Sequence, residues 1–442
     1  MKIIVETTVF LNGGDAAIQV ATKRILMSAF GDDTKVVFAD MDARVAERYY
    51  PGNTFVAFPS AQIRKSIFVR LINKLTKGRL EVDLIYSILI VMVFLERHLK
   101  WLKYPGHRDA VAQALREYLT ADLIISTGGT YLSKKHPGSV ALRLPEYERD
   151  IYLGKPPIFF TQSMGPFGDA RIFRRLANVL RKSPLILVRD GQSMAFAKEL
   201  IGKTGNIETV ADSVFVLTDQ HKIEKRRAAP RVARPGRRPR IAVSVRRWTD
   251  FGERNSEGGR AKYHQSVAQA VVWFVEEVGA EVTFISTCQG IPEYPFNDSD
   301  AARDVWKYLP DHVQSNVVID SQFRDTETLL MKIDEFDGAI GTRMHMCILC
   351  LCRGVPVLPI CYERKTADLF RSLDLEEYVT FIDKIEQDSF RNLVERWWQN
   401  QDLIAERSWQ GTIELRDSAL STIDILKNRF APVESQLEAV PS

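Results

Sequence analysis

The chain predicts an α/β protein of two doubly wound domains, and three observations carry that expectation. Short runs rich in Val, Ile, Leu and Phe alternate with stretches of helical periodicity along most of the 442 residues. Parallel neighbours need crossover connections, so this alternation implies parallel sheets covered by helices on both faces. A basic, Pro-rich stretch, KIEKRRAAPRVARPGRRPR at 222–240, separates one alternating series from a second. Residues of chemical interest fall immediately after strand runs, which is where ligands of doubly wound sheets bind.

In the first series, strands are expected at 2–10, 35–40, 54–58, 122–127, 157–163, 185–189 and 207–211, with helices at 16–29, 108–119, 170–181 and 192–201. A helical insertion occupies about 60–107. Its longest apolar run, LIYSILIVMVFL at 84–95, has twelve residues. That falls well short of the ~20 a helix needs to span a bilayer. Upstream, IRKSIFVRLINKL at 63–75 mixes Arg and Lys with large apolar residues at helical spacing, the pattern either of a helix closing over a core or of one lying on a membrane surface. In the second series, strands are expected at 241–246, 282–287, 316–320, 337–341, 355–361 and 378–382. Helices at 263–278, 299–308, 325–333, 344–352, 364–372 and 387–400 alternate with them, and one long helix follows at 402–428. The expected organisation is a Rossmann-like domain over 1–221, a linker over 222–240, a second Rossmann-like domain over 241–400, and a helix and tail over 401–442. The linker reads either as an exposed boundary segment or as a basic patch for anionic lipid or a charged polymer.

Composition excludes several classes. With 45% apolar and 26% charged residues the chain can bury a core, and a net charge of +4 from near-equal totals is not that of a nucleic-acid coat. No nucleic-acid partner is expected. The five cysteines stand at 288, 347, 350, 352 and 361, and the start MKIIVETTVF lacks a signal-peptide pattern, so a reducing, cytoplasmic location is expected. Cys347, Cys350 and Cys352 alternate with Ile and Leu in an apolar helical run, which suits small core thiols better than metal ligands. No metal is expected.

The strand ends supply the chemistry. After the first strand, LNGGDAAIQVA brings Asn12, Gly13, Gly14 and Asp15 to the start of a helix, where glycines let backbone approach a ligand and Asp15 can instead cap the helix. There is no G-x-G-x-x-G and no G-K-[ST], so a dinucleotide or P-loop site is disfavoured. STGG places Gly128 and Gly129 after a strand, and TQSMGP places Gln162, Ser163 and Gly165 after another. VRD ends a strand with Arg189 and Asp190; Arg189 is either a cationic fork for carboxylate or phosphate, or locally salt-bridged beside a capping Asp190. RIAVSVRRW delivers Arg246 and Arg247, followed by the Gly-rich loop 249–260, which either folds over a ligand or is plain surface. Strand 337–341 leads into Arg343 and His345, and VPVLPICYERK leads to Lys365. If those two strands are neighbours, His345 and Lys365 share one sheet edge, as suits partners in proton transfer and charge stabilisation.

On these motifs (NGGDAAI, STGG, TQSMGP, VRD with Ser193, ADSVF at 211–215, and above all GTRMH with Y-x-x-K at Tyr362 and Lys365) the chain resembles the polysaccharide pyruvyltransferase family from about residue 12 to 370. Thr161 stands where that family commonly has glycine, and Met344 where it has leucine. The resemblance implies a fold similar to the glycosyltransferase B arrangement, with the acceptor on the N-terminal side and the donor on the C-terminal side. It implies transfer of the enolpyruvyl-derived group of phosphoenolpyruvate to a sugar of a surface polysaccharide or its lipid-linked precursor, making a pyruvate ketal without a cofactor, at the inner face of a membrane. It places catalytic roles on Arg189, His345 and Lys365. Arg343, Arg246, Asn12, Gly14, Asp15, Gly128, Gly129, Gln162 and Gly165 fall to substrate binding. A glycosyltransferase of the same fold gripping a nucleotide sugar through Glu363 or Asp368, and a silent saccharide-binding protein, are the competing readings.

Overall fold

The computed structural model describes residues 1–98, 107–168, 170–202, 205–228, 237–251 and 256–431. Two compact units emerge, each with its own sheet: Met1–Leu11, Ile18–Ser213 and Ser418–Ser442 form the first, and Asn12–Ala17 with Val214–Asp417 form the second.

The first unit contains β1 (Lys2–Thr8), β2 (Lys35–Asp40), β3 (Thr54–Ala57), β4 (Leu123–Ser126), β5 (Gly129–Leu132), β6 (Ile158–Met164), β7 (Ile186–Val188) and β8 (Ile207–Thr209). Their order is β3-β2-β1-β4-β6-β7-β8, with β5 also on β6, and every pairing is parallel. Ile3, Ile4 and Val5 in the central strand are consecutive and fully buried, as a strand covered on both faces requires. The short β5 escapes a reading of the sequence because GTYL follows directly on the glycine turn, with no intervening helix to signal a new strand.

The second unit contains β9 (Arg240–Ser244), β10 (Glu281–Phe284), β11 (Val317–Ile319), β12 (Gly338–Gly341), β13 (Val357–Cys361) and β14 (Thr380–Phe381), in the order β11-β10-β9-β12-β13-β14, again all parallel. The strands that lead to His345 and Lys365 are neighbours: Ile340 pairs with Leu358 and Gly341 with Pro359.

The units divide the chain at other places than the expected boundaries. Residues 222–228 belong to the helix Gln220–Ala228 of the second unit, because Ile223 is buried with Ala405 and Trp409 while Arg226 donates to the carbonyls of Asp334 and Phe336 at 2.9 and 3.0 Å. Of the rest of the expected linker, 229–236 lie outside the described residues, as do 252–255 of the Gly-rich loop and 99–106 of the insertion, while 237–240 are described and Arg240 already opens β9. The insertion forms the helices Pro59–Arg64, Ile67–Thr76 and Glu81–His98. The long final helix, Gln401–Phe430, is apportioned between the units at residue 417.

Candidate active site

In the second unit the carboxyl ends of β9, β10, β12 and β13 carry polar side chains that form one connected set. Arg343 follows β12 and closes on Asp298 with both edges of its fork, Nε to Oδ2 at 2.9 Å and Nη2 to Oδ1 at 2.7 Å. Asp298 is only 3% exposed and opens the helix Asp298–Trp306, whose first turn its charge favours. Its Oδ2 also accepts from Ser286 Oγ at 2.6 Å, and Ser286 in turn meets Ser244 Oγ at 3.0 Å. Tyr263 joins the Thr342 hydroxyl at 3.0 Å and accepts from the Arg246 amide at 3.3 Å. Arg343 was expected to grip substrate anions; two of its five N–H donors are instead spent on a buried carboxylate that needs a cation.

Arg246 differs. Its guanidinium lies 4.1 Å from the centre of the Tyr362 ring and 4.9 Å from that of Trp248, and among the described residues it meets no carboxylate. Its Nε is buried without a hydrogen-bond partner there. A stacked, unneutralised guanidinium is a cation held ready for an anion. Lys365, after β13, pairs with Glu363 at 3.0 Å and is partly buried. Glu363, one of the carboxylates a nucleotide-sugar reading would use, is thereby engaged, and Asp368 bonds Arg371 at 2.5 Å.

His345 is the second residue of the helix Met344–Cys352, whose otherwise buried face explains the Cys/Leu/Ile run. Gly341 brings that helix close: a side-chain carbon there would overlap Cys347 Sγ and come within 3.2 Å of Val357. All five cysteines are buried and free, and burial pushes Cys288 up to about 11 and Cys350 and Cys361 to about 12.

The NGGD loop belongs to the same set, since Asn12–Ala17 group with the second unit. Asn12, not Asp15, caps its helix: Asn12 Oδ1 accepts from the Gly14 amide at 3.0 Å and the Asp15 amide at 3.4 Å. The same oxygen accepts from Cys288 Sγ at 3.3 Å. A methyl at Gly14 would stand 2.8 Å from His345 Nδ1, and one at Gly13 would overlap the Thr287 carbonyl. Here glycine is required by close approach. The structure thus brings Asn12, Gly14, Asp15, Arg246, Arg343, His345 and Lys365 to the strand-end region of one unit. Asp298, Ser286, Tyr263 and Trp248 escaped the sequence reading; the strand-end rule applied to STCQG after β10 would have found Ser286.

In the first unit, Arg189 follows β7. It forms an ion pair with Asp212 and donates from Nε to Ser163 Oγ at 2.7 Å, with its side chain 4% exposed. Asp190 caps the next helix, accepting from the Ser193 amide at 2.6 Å and its hydroxyl at 2.8 Å. The pair therefore adopts the local alternative, Arg189 salt-bridged beside a capping Asp190. Gln162 is 1% exposed and its amide nitrogen is bonded to the Thr127 carbonyl, so it braces the STGG turn from within. Gly128 packs on Thr161, with 2.7 Å between an added Cβ and Thr161 Oγ1, and Gly129 (φ 152°) and Gly165 (φ 76°) turn against Tyr131 and Phe196. These residues shape the strand ends rather than present polar groups. Thr161 has φ 45°, a left-handed conformation that explains why glycine suits this place.

Comparison with solved structures shows the fold. A UDP-GlcNAc 2-epimerase of Methanocaldococcus jannaschii superposes with a TM-score of 0.55 at 8% identity, covering 97% of this chain and 99% of that one. Anabaena Alr3699/HepE in complex with UDP-glucose gives 0.53 at 12% identity over 100% of both chains. Both likenesses place the chain in the glycosyltransferase B type of two-unit fold. Among curated proteins, the amylovoran biosynthesis protein AmsJ of Erwinia amylovora is 24% identical over 297 residues, 65% of this chain and 67% of that protein. The model of the polysaccharide pyruvyl transferase family matches residues 12–364, from the capping Asn12 to the first residue of the helix that carries Lys365, and the chain belongs to that family.

Proposed function

We propose that the protein transfers the enolpyruvyl-derived group of phosphoenolpyruvate to a sugar of an exopolysaccharide or its lipid-linked precursor, forming a pyruvate ketal. It would act at the cytoplasmic face of a membrane and need no cofactor. Family membership and the likeness to an amylovoran biosynthesis protein support the transferase and the polysaccharide. One observation carries the donor site: an unneutralised Arg246, a lysine at position 365 and an imidazole at His345 stand at the carboxyl ends of β9, β13 and β12, in the second unit.

The chemistry suits these groups. Phosphoenolpyruvate brings a carboxylate and a phosphate; Arg246, Lys365 and the amides at the start of the helix Met344–Cys352 are the donors for them. A sugar hydroxyl adds to C2 while C3 takes up a proton, the bond from C2 to the phosphate oxygen breaks, and a second hydroxyl closes the ketal and gives up its proton. His345 carries protons in these steps, because imidazole both donates and accepts near neutral pH. Arg343 holds the helix start against Asp298, and Arg189 orders the strand ends of the first unit, where the acceptor would bind.

Purified protein given phosphoenolpyruvate and a panel of nitrophenyl or lipid-linked glycosides will release phosphate only with an acceptor, and the sugar will gain the mass of pyruvate less water. His345→Ala will bind donor within about twofold of the parent by calorimetry and turn over about 100-fold or more slowly. Unchanged turnover would remove His345 from the proton path. Binding of a nucleotide sugar in place of phosphoenolpyruvate would replace the donor.

A further inference from the structure

The helix Ile67–Thr76 turns only part of itself to the protein. Val69 is buried in the core beside Ile85 and Leu89 of the helix Glu81–His98. Ile67, Phe68, Leu71 and Leu75 face outward, 85%, 59%, 56% and 75% exposed. At about 100° per residue these four fall within an arc of about 100°, Val69 points about 100° beyond it, and Arg70 and Lys74 border its other side. Leu80, Val91 and Phe94 are exposed in the same segment, so that seven of the fourteen large apolar side chains exposed among the described residues lie in 67–94. Single exposed apolar groups are ordinary; a stripe of them marks a partner.

The charge identifies that partner. Residues 63–79 contain six Lys and Arg and no Asp or Glu. Arg64 bonds Glu81 and Lys65 lies 3.8 Å from Asp42, whereas Arg70, Lys74, Lys77 and Arg79 are exposed with no ion pair among the described residues. A second copy docked symmetrically on this face would bring like cations together. An apolar stripe edged by cations instead matches a bilayer whose headgroups are anionic. Among the described residues no helix is long and apolar enough to cross a membrane, so the contact is parallel to the surface.

We propose that the helix Ile67–Thr76 docks the protein on an anionic bilayer, with Ile67, Phe68, Leu71 and Leu75 at the acyl boundary and Arg70, Lys74, Lys77 and Arg79 among the headgroups. The proposal rests on the reading above for its purpose, access to a lipid-borne acceptor, and on this face alone for its geometry. The test is co-sedimentation of the full chain with vesicles of phosphatidylcholine, alone or mixed with phosphatidylglycerol. Affinity for the mixed vesicles will be about tenfold or more higher and will fall as salt is added. The paired substitutions Phe68→Ser with Leu71→Ser, and Arg70→Glu with Lys74→Glu, will each lower it about tenfold or more while leaving the thermal midpoint unchanged. If the apolar pair disturbs folding, Lys74→Glu alone will still lower affinity about fivefold. Variants that bind as tightly as the parent would overturn the proposal. So would a parent that ignores both vesicles, or a dimer in solution that Leu71→Ser separates. Phosphate release with a soluble glycoside, read in parallel, tests the transferase independently of the lipid.

Discussion

Asp298 takes two of the five N–H donors of Arg343, and it also fixes the Ser286 hydroxyl. Removing one member of a buried ion pair leaves the other charge without compensation, at a cost of about 3–5 kcal/mol. Asp298→Ala is therefore expected to lower unfolding stability by about 3 kcal/mol and to slow turnover by at least about tenfold through a displaced helix start, checked by urea titration and by phosphate release. Asp298→Asn, which keeps an acceptor oxygen, will lose less. Much of this site was legible at residue level: Arg246, Arg343, His345 and Lys365 each follow a strand, and that position needs only local sequence. Asp298 was not legible, because the contact that gives it meaning spans 45 residues. The inward turn of Gln162 and the closing of Arg343 on a carboxylate were hidden for the same reason. Sequence spacing places a side chain at a strand end, but only packing decides whether it faces a ligand or its own protein.

The strand β12 and the helix Met344–Cys352 act as one piece, and Gly341 is the seam between them. A methyl there must displace Cys347 Sγ or the strand, and overpacking of this kind costs about 1–3 kcal/mol. Gly341→Ala is expected to be destabilised by about that amount, with Cys347→Ala in the same chain returning part of it; a double-mutant cycle in urea reads the coupling. Alternation of period made nearly every strand and most helices of the sheets visible beforehand. The short helices Ala43–Tyr49 and Asp311–Gln314 were missed, and so were two others, Pro137–Tyr152 and Gln220–Ala228. Of the latter two, the first contains Pro145, a residue that ordinarily argues against a helix interior, and the second is so basic that it reads as linker until Ile223 is seen against Trp409. Burial by distant residues overrode local preference in both.

On the scale of the whole molecule, the two units carry buried ionisable groups of opposite effect. In the first, burial raises Asp40 to about 6 and Asp150 to about 7, and lifts Glu6 well above the usual carboxylate range, within a buried cluster where Arg149 faces Glu6, Glu146 and Asp150. An acid held neutral by folding binds its proton more tightly folded than unfolded, so its contribution is complete below about pH 4 and is lost as pH rises toward 7. In the second unit, burial lowers His264 to about 4. Unfolding then takes up a proton between about pH 4 and 6.5, so this contribution grows with pH over that window. Hydrogen exchange, corrected for its intrinsic pH dependence, is expected to show protection in β1 and β2 falling from pH 5 to 7 while protection in β9 rises; parallel movement of the two would contradict the assignment. Asn12 and Gly14, at the far start of the sequence, pack with Cys288 and His345. A chimera joined at a single crossover within 229–236 would therefore import the imidazole and lysine of one parent with the glycine turn of the other. Exchange of the second unit between parents requires a further, six-residue graft at Asn12–Ala17, and libraries built with one junction will be depleted of active members for that reason.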